Sequence, residues 1–392
     1  MTAPEEQAVD AVRRYNRPAS LAAMMLTGAP STLSILGPPL LINAFVGTGK
    51  LTEAQASTLC SAELAAVAVA AFLTALFVGR FDRRFLVAGG LIAILVGHGL
   101  TILTLDYTLL LLTRSLAGLG VGTVFATGVA GIAGAAKPDR AFGLGVVLNQ
   151  IVVILFTAFL ARVIIQPDLM DTVLTLAAFA ASVGLGIPWI PARSLAALDV
   201  GRASPASGPL TRPLLGTAGF LTFSVGIGII WPQIGQIGLS RGVPASTIGD
   251  TIAWASVAAL LGGLAAAALG VRLGRLAILI FNMICLALLF LLLQSDFTEA
   301  VYRVAVLAIL FMFPATLPYL FGSLAALDPA GRFAAISGSM MPSGMSAGGL
   351  ITAALITSGG FSLLGYYAAA AMILALLLMT AALYRLPNTE LH

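Results

Sequence analysis

The sequence predicts an all-α integral membrane protein of twelve spanning helices in two pseudo-symmetric six-helix bundles. Three observations carry that prediction. Of 392 residues, 59% are hydrophobic and only 9% charged, with a mean hydropathy of +1.03, whereas a soluble domain carries about 25% charge. The apolar residues fall into twelve runs, each near the ~20 residues that cross a hydrocarbon core as a helix. The Lys and Arg residues fall mostly between runs on one side of the chain's back-and-forth course.

In order, residues 1–18 form a charged tail, MTAPEEQAVDAVRRYNRP. The run 19–47 is too long for a signal-peptide core and has no clear cleavage site, so it reads as the first span. Further runs cover 57–79, 85–105, 108–134, 140–165 and 172–191, then 213–239, 247–270, 276–294, 300–326, 333–356 and 362–385. Links such as 80–84 and 106–107 are so short that consecutive helices must be antiparallel neighbours. The exception, 192–212, is rich in Ala, Ser, Pro and Gly and divides a bundle at 19–191 from a bundle at 213–385, with a tail at 386–392. Fifteen of the twenty Lys and Arg residues lie in the tails, the linker and the loops on that side. Both termini and the linker are therefore expected in the cytoplasm. Much Ala and Gly, with Arg favoured over Lys, suits a bacterial inner membrane.

The two halves repeat. Arg83 answers Arg275 and Arg140 answers Arg332, both at an offset of 192. KPDRAF (137–142) then faces DPAGRF (328–333), and Gly122 falls on Pro314. The first segments of the halves carry Pro30, Gly37, Pro38 and Pro39 against Gly226, Gly228 and Pro232. Irregular helices at matching positions of two repeats predict a midplane binding site between the halves.

Ionisable residues inside the runs are few. Glu63 and Arg114 each lie about six residues into their segments from the same side, roughly 9 Å deep, a matched depth that allows them to pair. A buried carboxylate beside a cation can couple protons to transport, or the two can be a structural ion pair. An arginine at a span's centre costs about 2.5–3.5 kcal/mol, so it needs a partner or a wet cavity. His98 reads as a packing histidine without a second metal ligand nearby. Asn149 and Gln150, then Trp231, Gln233 and Gln236, then Tyr319 are the uncharged polar and aromatic candidates for substrate contact near midplane. Helix–helix hydrogen bonds, or interfacial anchoring for Trp231, compete with that role. Cys60 and Cys285 lie far apart in separate runs and read as buried apolar residues.

In the fourth run, Leu109–Gly134, Arg114 is followed by Gly118, Gly120 and Gly122. Arg-x-x-x-Gly-x-Gly-x-Gly at this place resembles the fourth-helix signature, "motif B", of the major facilitator superfamily. The turn Gly79-Arg80-Phe81-Asp82-Arg83-Arg84 resembles a shortened "motif A" of that family, and Gly270-Val271-Arg272-Leu273-Gly274-Arg275 resembles its second copy without the acid. The resemblance implies the twelve-helix fold and secondary transport by alternating access. It also implies a conformational latch at Gly79, Asp82, Arg83, Arg84, Arg272 and Arg275, in which the acid caps a facing helix of the other half. The fifth run lacks the Gly-Pro "motif C" of drug/proton antiporters.

The function expected is transport of a small organic solute coupled to protons through Glu63 and Arg114, with symport of an aromatic or lipophilic anion preferred. The alternative is proton-antiport efflux of hydrophobic drugs. No nucleotide-binding loop, metal-ligand set or nucleophile elbow occurs, so no enzymatic activity, cofactor, metal or nucleic-acid partner is expected. The partners are the substrate, protons and the lipid bilayer, and the chain is expected to be a monomer.

Overall fold

A computed structural model describes residues 15–133, 135, 138–162, 168–192, 210–270, 272–327 and 332–384. Residues 1–14, the linker 193–209 and the tail 385–392 lie outside the described residues. So do Lys137 and 328–331 of the loop repeat, and the side chains of Arg140 and Arg332.

The first span is three helices end to end: α1 (Pro18–Leu26), α2 (Ala29–Leu36) and α3 (Pro38–Gly47). Proline has no N–H, so Pro30 cannot bond the Leu26 carbonyl, and Pro38 and Pro39 cannot bond those of Ser34 and Ile35. The chain breaks at Gly28 and at Gly37 in consequence. α4 (Glu53–Phe77) starts four residues before the apolar run, because Thr52 and Gln55 close a capping box over its first turn. α5 (Arg83–Thr101) is capped by Asp82, which accepts from the Arg84 N–H at 2.8 Å. α6 (Tyr107–Ala133), α7 (Pro138–Arg162) and α8 (Leu169–Gly184) complete the first half.

The second half opens with α9 (Thr211–Ile230), a 3₁₀ turn at Trp231–Gln233 and α10 (Ile234–Ser240). Pro232 withholds the N–H that Gly228 would receive, so the seventh span breaks as the first does. Neighbouring helices bond to carbonyls on either side of the break. Thr352 donates to the Ile229 carbonyl at 3.1 Å, and Tyr302 to that of Ile234 at 3.0 Å. α11 (Ala245–Leu269), α12 (Arg275–Leu292), α13 (Glu299–Leu327), α14 (Arg332–Gly359) and α15 (Leu364–Leu383) follow.

Breaks therefore occur in the first helix of each half, where the sequence predicts them. The fourth helices differ: α6 and α13 run unbroken through Gly122 and Pro314. Gly122 serves packing instead, because a Cβ there would meet the Val67 carbonyl and the Ala71 nitrogen of α4.

Among the described residues, twelve helices are long and apolar enough to cross a membrane. Their outward faces are apolar in mid-helix, with Ile92, Leu112, Leu155, Phe281, Leu288 and Leu377 all more than half exposed. Lipid is the solvent that such a belt requires. Within the first half, α6 packs against α4 and α5; within the second, α9 packs against α14 and α15, and α11 against α13. Between the halves, α4 packs on α14 and α7 on α11. The offset of 192 maps α4 to α11 and α7 to α14, so these are one contact made twice around a pseudo-twofold axis.

Candidate functional site

Gly118 sits one turn beyond Arg114 on α6, and a Cβ there would collide with the Glu63 carbonyl of α4. The missing side chain lets the two backbones touch and brings Glu63 against Arg114. Arg114 Nη2 forms an ion pair with Glu63 Oε2, and both side chains are buried. Ser34 of α2 donates to the other carboxylate oxygen at 2.8 Å. The other terminal nitrogen of Arg114 lies 2.9 Å from His98 Nδ1 on α5. One guanidinium thus bridges a carboxylate and an imidazole contributed by two other helices. The three side chains, with Ser34 and Cys60, line a cavity of about 20 Å³, large enough for one water and too small for an organic solute.

His98 is the member that sequence reasoning missed. A signal was present: Val87, Gly90, Leu91, Ile94, Gly97, His98 and Thr101 are all buried and recur at helical spacing, with glycines where α6 crosses. A Cβ at Gly97 would meet the Thr113 carbonyl and the Ala117 nitrogen, both at 2.7 Å. That stripe points His98 at α6.

The other candidates fall into three places. Trp231 and Gln233 sit in the break of the seventh span, fully buried, and that turn packs on α3. The Trp231 indole N–H and both amide atoms of Gln233 have no hydrogen-bond partner among the described residues. Close by, Gln236 donates across the halves to Asn43 Oδ1 at 2.9 Å, and Gly235 lies against the same amide. Asn43, a lone amide in an apolar run, is the second residue missed. Gln150 donates to the Ser256 carbonyl at 2.9 Å, bridging α7 and α11, while Asn149 packs its amide nitrogen against Gly28 and leaves Oδ1 buried without a partner among the described residues. Tyr319 stands apart from these, donating to the Gly270 carbonyl at 2.9 Å near the end of α11. That bond joins helices of one half.

Among the described residues, the hydrogen bonds between halves cluster between mid-depth and the face opposite the loop arginines. Besides Gln236–Asn43 and Gln150–Ser256, Ser57 donates to the Gly349 carbonyl at 3.0 Å and Ser346 to that of Ser61 at 2.8 Å. Toward the arginine-bearing face, α4 becomes exposed around its circumference from Phe72 to Phe77. The halves are sealed on one side and part on the other.

At the arginine-bearing face, Arg83 is buried. It donates to the Tyr15 hydroxyl at 2.9 Å and to the Ala130 carbonyl at 3.1 Å, while its backbone N–H bonds the Ala192 carbonyl. Arg84 donates to the Ile190 carbonyl at 2.8 Å. Arg275 lies against Gly322 of α13, 3.3 Å from a Cβ built there. Ala130 and Gly322 are themselves 192 apart, so each arginine lies against the end of the fourth helix of its own half. Asp82 caps its own helix rather than one of the other half in this conformation. Arg272 is exposed, and a Cβ at Gly79 would meet open space. Gly274, the residue before α12, holds φ +78°, a left-handed conformation that favours glycine.

No family model and no curated protein matches the sequence. The fold has a counterpart among solved structures: the crystal structure of a D-xylose-proton symporter superposes with a TM-score of 0.70. The match covers 95% of this chain and 98% of that one at 16% identity. At that identity the likeness is one of fold, and it is the twelve-helix fold of the major facilitators.

Proposed function

We propose that this chain, folded as a major facilitator, is a proton-coupled secondary transporter of a small organic solute rather than an enzyme. The bundles 19–191 and 213–385 rock about a site between them. The observation that carries the reading is the buried Glu63–Arg114 pair beside a cavity the size of one water. A carboxylate so placed changes the charge of its site when a proton arrives. The fold counterpart, a proton symporter, supports the same coupling. α4 supplies the link to movement: it carries Glu63 toward α6 and, two residues away, Ser61 toward the seal with α14. Protonating Glu63 removes the charge that binds α4 to α6 and loosens the helix that closes the seal.

The positive-inside pattern supports a cytoplasmic arginine-bearing face and cytoplasmic termini, the composition suits a bacterial inner membrane, and in that orientation this conformation is closed to the outside. Arg83, Arg84, Arg272 and Arg275, with Asp82 and Gly79, act as the latch of the opposite conformation. Trp231, Gln233, Gln236, Asn149 and Gln150 are the proposed substrate contacts, and their indole and amides suit a hydrogen-bonding aromatic or lipophilic solute. A negative charge on that solute has little left to meet here, because Arg114 is engaged by Glu63 and His98.

The test is uptake by the purified chain, as a monomer, in proteoliposomes with an imposed pH gradient. The panel holds labelled neutral aromatics, aromatic carboxylates and lipophilic cations. Accumulation driven by an acidic exterior, lost in Glu63→Gln while gradient-free exchange persists, is the expected result. Gradient-driven extrusion of the cations would turn the reading to antiport efflux. Equal accumulation by wild type and Glu63→Gln would overturn the coupling role of Glu63.

A further inference from the structure

A guanidinium carries five N–H donors and no acceptor. His98 Nδ1, 2.9 Å from Arg114 Nη1, must therefore present its lone pair, with the ring neutral and its proton on Nε2. In this conformation Arg114 has two acceptors, one charged and one neutral. If Glu63 takes a proton, as the proposed function requires, the charged acceptor is gone while the guanidinium stays buried. Arg114 is almost fully buried and its Nε has no hydrogen-bond partner among the described residues, so once Glu63 is reduced to a neutral carbonyl acceptor, losing His98 as well would leave a poorly compensated buried cation. The cavity beside it admits a water but gives the guanidinium no room to swing away. The titratable and charged groups facing His98 across that cavity are Glu63 and Cys60 from α4 and Arg114 from α6, while α2 and α8 offer only Ser34 and apolar side chains.

We propose that His98 is a positioning residue of the coupling site, whose Nδ1 is the neutral acceptor that holds Arg114 in place while Glu63 carries the proton. The proposal rests on Glu63 being the proton-binding group. It explains why the acceptor is an imidazole that stays uncharged: a protonated ring would set N–H against N–H and expel the arginine. His98 does not carry the proton; it keeps the site assembled between the two charge states of Glu63.

The chain has two histidines, His98 and His392, so nitrogen NMR of the full-length protein labelled with ¹⁵N-histidine resolves the ring directly, with His392→Gln giving the assignment. Glu63→Gln keeps the shape of the protonated acid. In that variant His98 is expected to keep Nδ1 unprotonated and hydrogen-bonded, as in wild type. A protonated Nδ1 there, by either tautomer or charge, overturns the proposal. The second readout is thermal unfolding of a double-mutant cycle. His98→Leu is expected to lower the melting temperature by about 5 °C more in the Glu63→Gln background than in wild type. His98→Asn, whose Oδ1 stands where Nδ1 stood, is expected to recover most of that loss. Additive losses, or Asn behaving as Leu, mean that His98 only fills space. If the doubly substituted Leu chain does not fold, the spectrum of Glu63→Gln alone still decides. Loss of proton-driven transport is not part of either readout, so failure of the coupling role of Glu63 is seen separately, in the uptake assay.

Discussion

Gly118 is the residue on which the candidate site depends most, although it has no side chain to offer. Its absent Cβ is what allows the Glu63 carbonyl to lie against α6. Gly118→Ala is expected to push α4 outward, destabilise the fold by about 1–3 kcal/mol and abolish gradient-driven uptake by separating Glu63 from Arg114. Gly143→Ala is the control: a Cβ there meets nothing within 4 Å, and adding one to a helix is neutral or stabilising. Thermal unfolding of the two variants, with uptake measured alongside, separates the effects, and equal behaviour would remove Gly118 from the account. At this scale much of the site was legible. Glu63 and Arg114 pair as their matched depth allows, because an ion in hydrocarbon has few choices of partner. His98 was not read, because depth says nothing of rotation. Which way a side chain points is set by the stripe it shares with Gly90 and Gly97, and that stripe becomes meaningful only once α6 is known to cross there.

At the scale of the helix, the breaks matter through the bonds that neighbouring helices make beside them. Ile229 and Ile234 flank the 3₁₀ turn, and their carbonyls accept from Thr352 and Tyr302. Thr352→Val and Tyr302→Phe each leave one of these without a side-chain donor in a place with little water. A loss of about 1–3 kcal/mol is expected for each, read as lowered melting temperature. Variants as stable as wild type would show that the break satisfies itself. The twelve helices were legible to within a few residues, and so were the breaks in the first and seventh spans, where proline removes a donor outright. The fourth pair of helices was read too far. Glycine permits a bend without requiring one, and at Gly122 the neighbouring α4 fills the space a bend would have used. Proline withholds one bond at Pro314, and the flanking turns of α13 carry the helix through.

For the molecule as a whole, the seal between α4 and α14 defines the conformation. Ser61 Cβ lies 3.3 Å from a Cβ built on Gly349, near the spacing a disulfide spans. Ser61→Cys with Gly349→Cys, in a chain with Cys60 and Cys285 replaced by Ala, is expected to stop transport on oxidation and restore it on reduction. Undiminished transport by the oxidised protein would show that the seal does not open during the cycle. The repeat of 192 was legible from loop arginines alone, and its three-dimensional form is a pair of contacts, Arg83 on Ala130 and Arg275 beside Gly322. The conformation was not legible, since one sequence must serve every state of the cycle and composition is the same in all of them. The depth of the ionic cluster has an electrical consequence. Arg114 lies seven residues inside α6 from the sealed face, roughly 10 Å at 1.5 Å per residue, or about a third of a ~30 Å core. On the proposed coupling role of Glu63, a proton reaching it from that face would cross only the smaller part of the membrane voltage, and its departure toward the arginine-bearing face would cross the larger part. Voltage should therefore act mainly on proton release, and the pH on the sealed side mainly on proton binding, so that the two components of the proton-motive force drive different halves of one turnover.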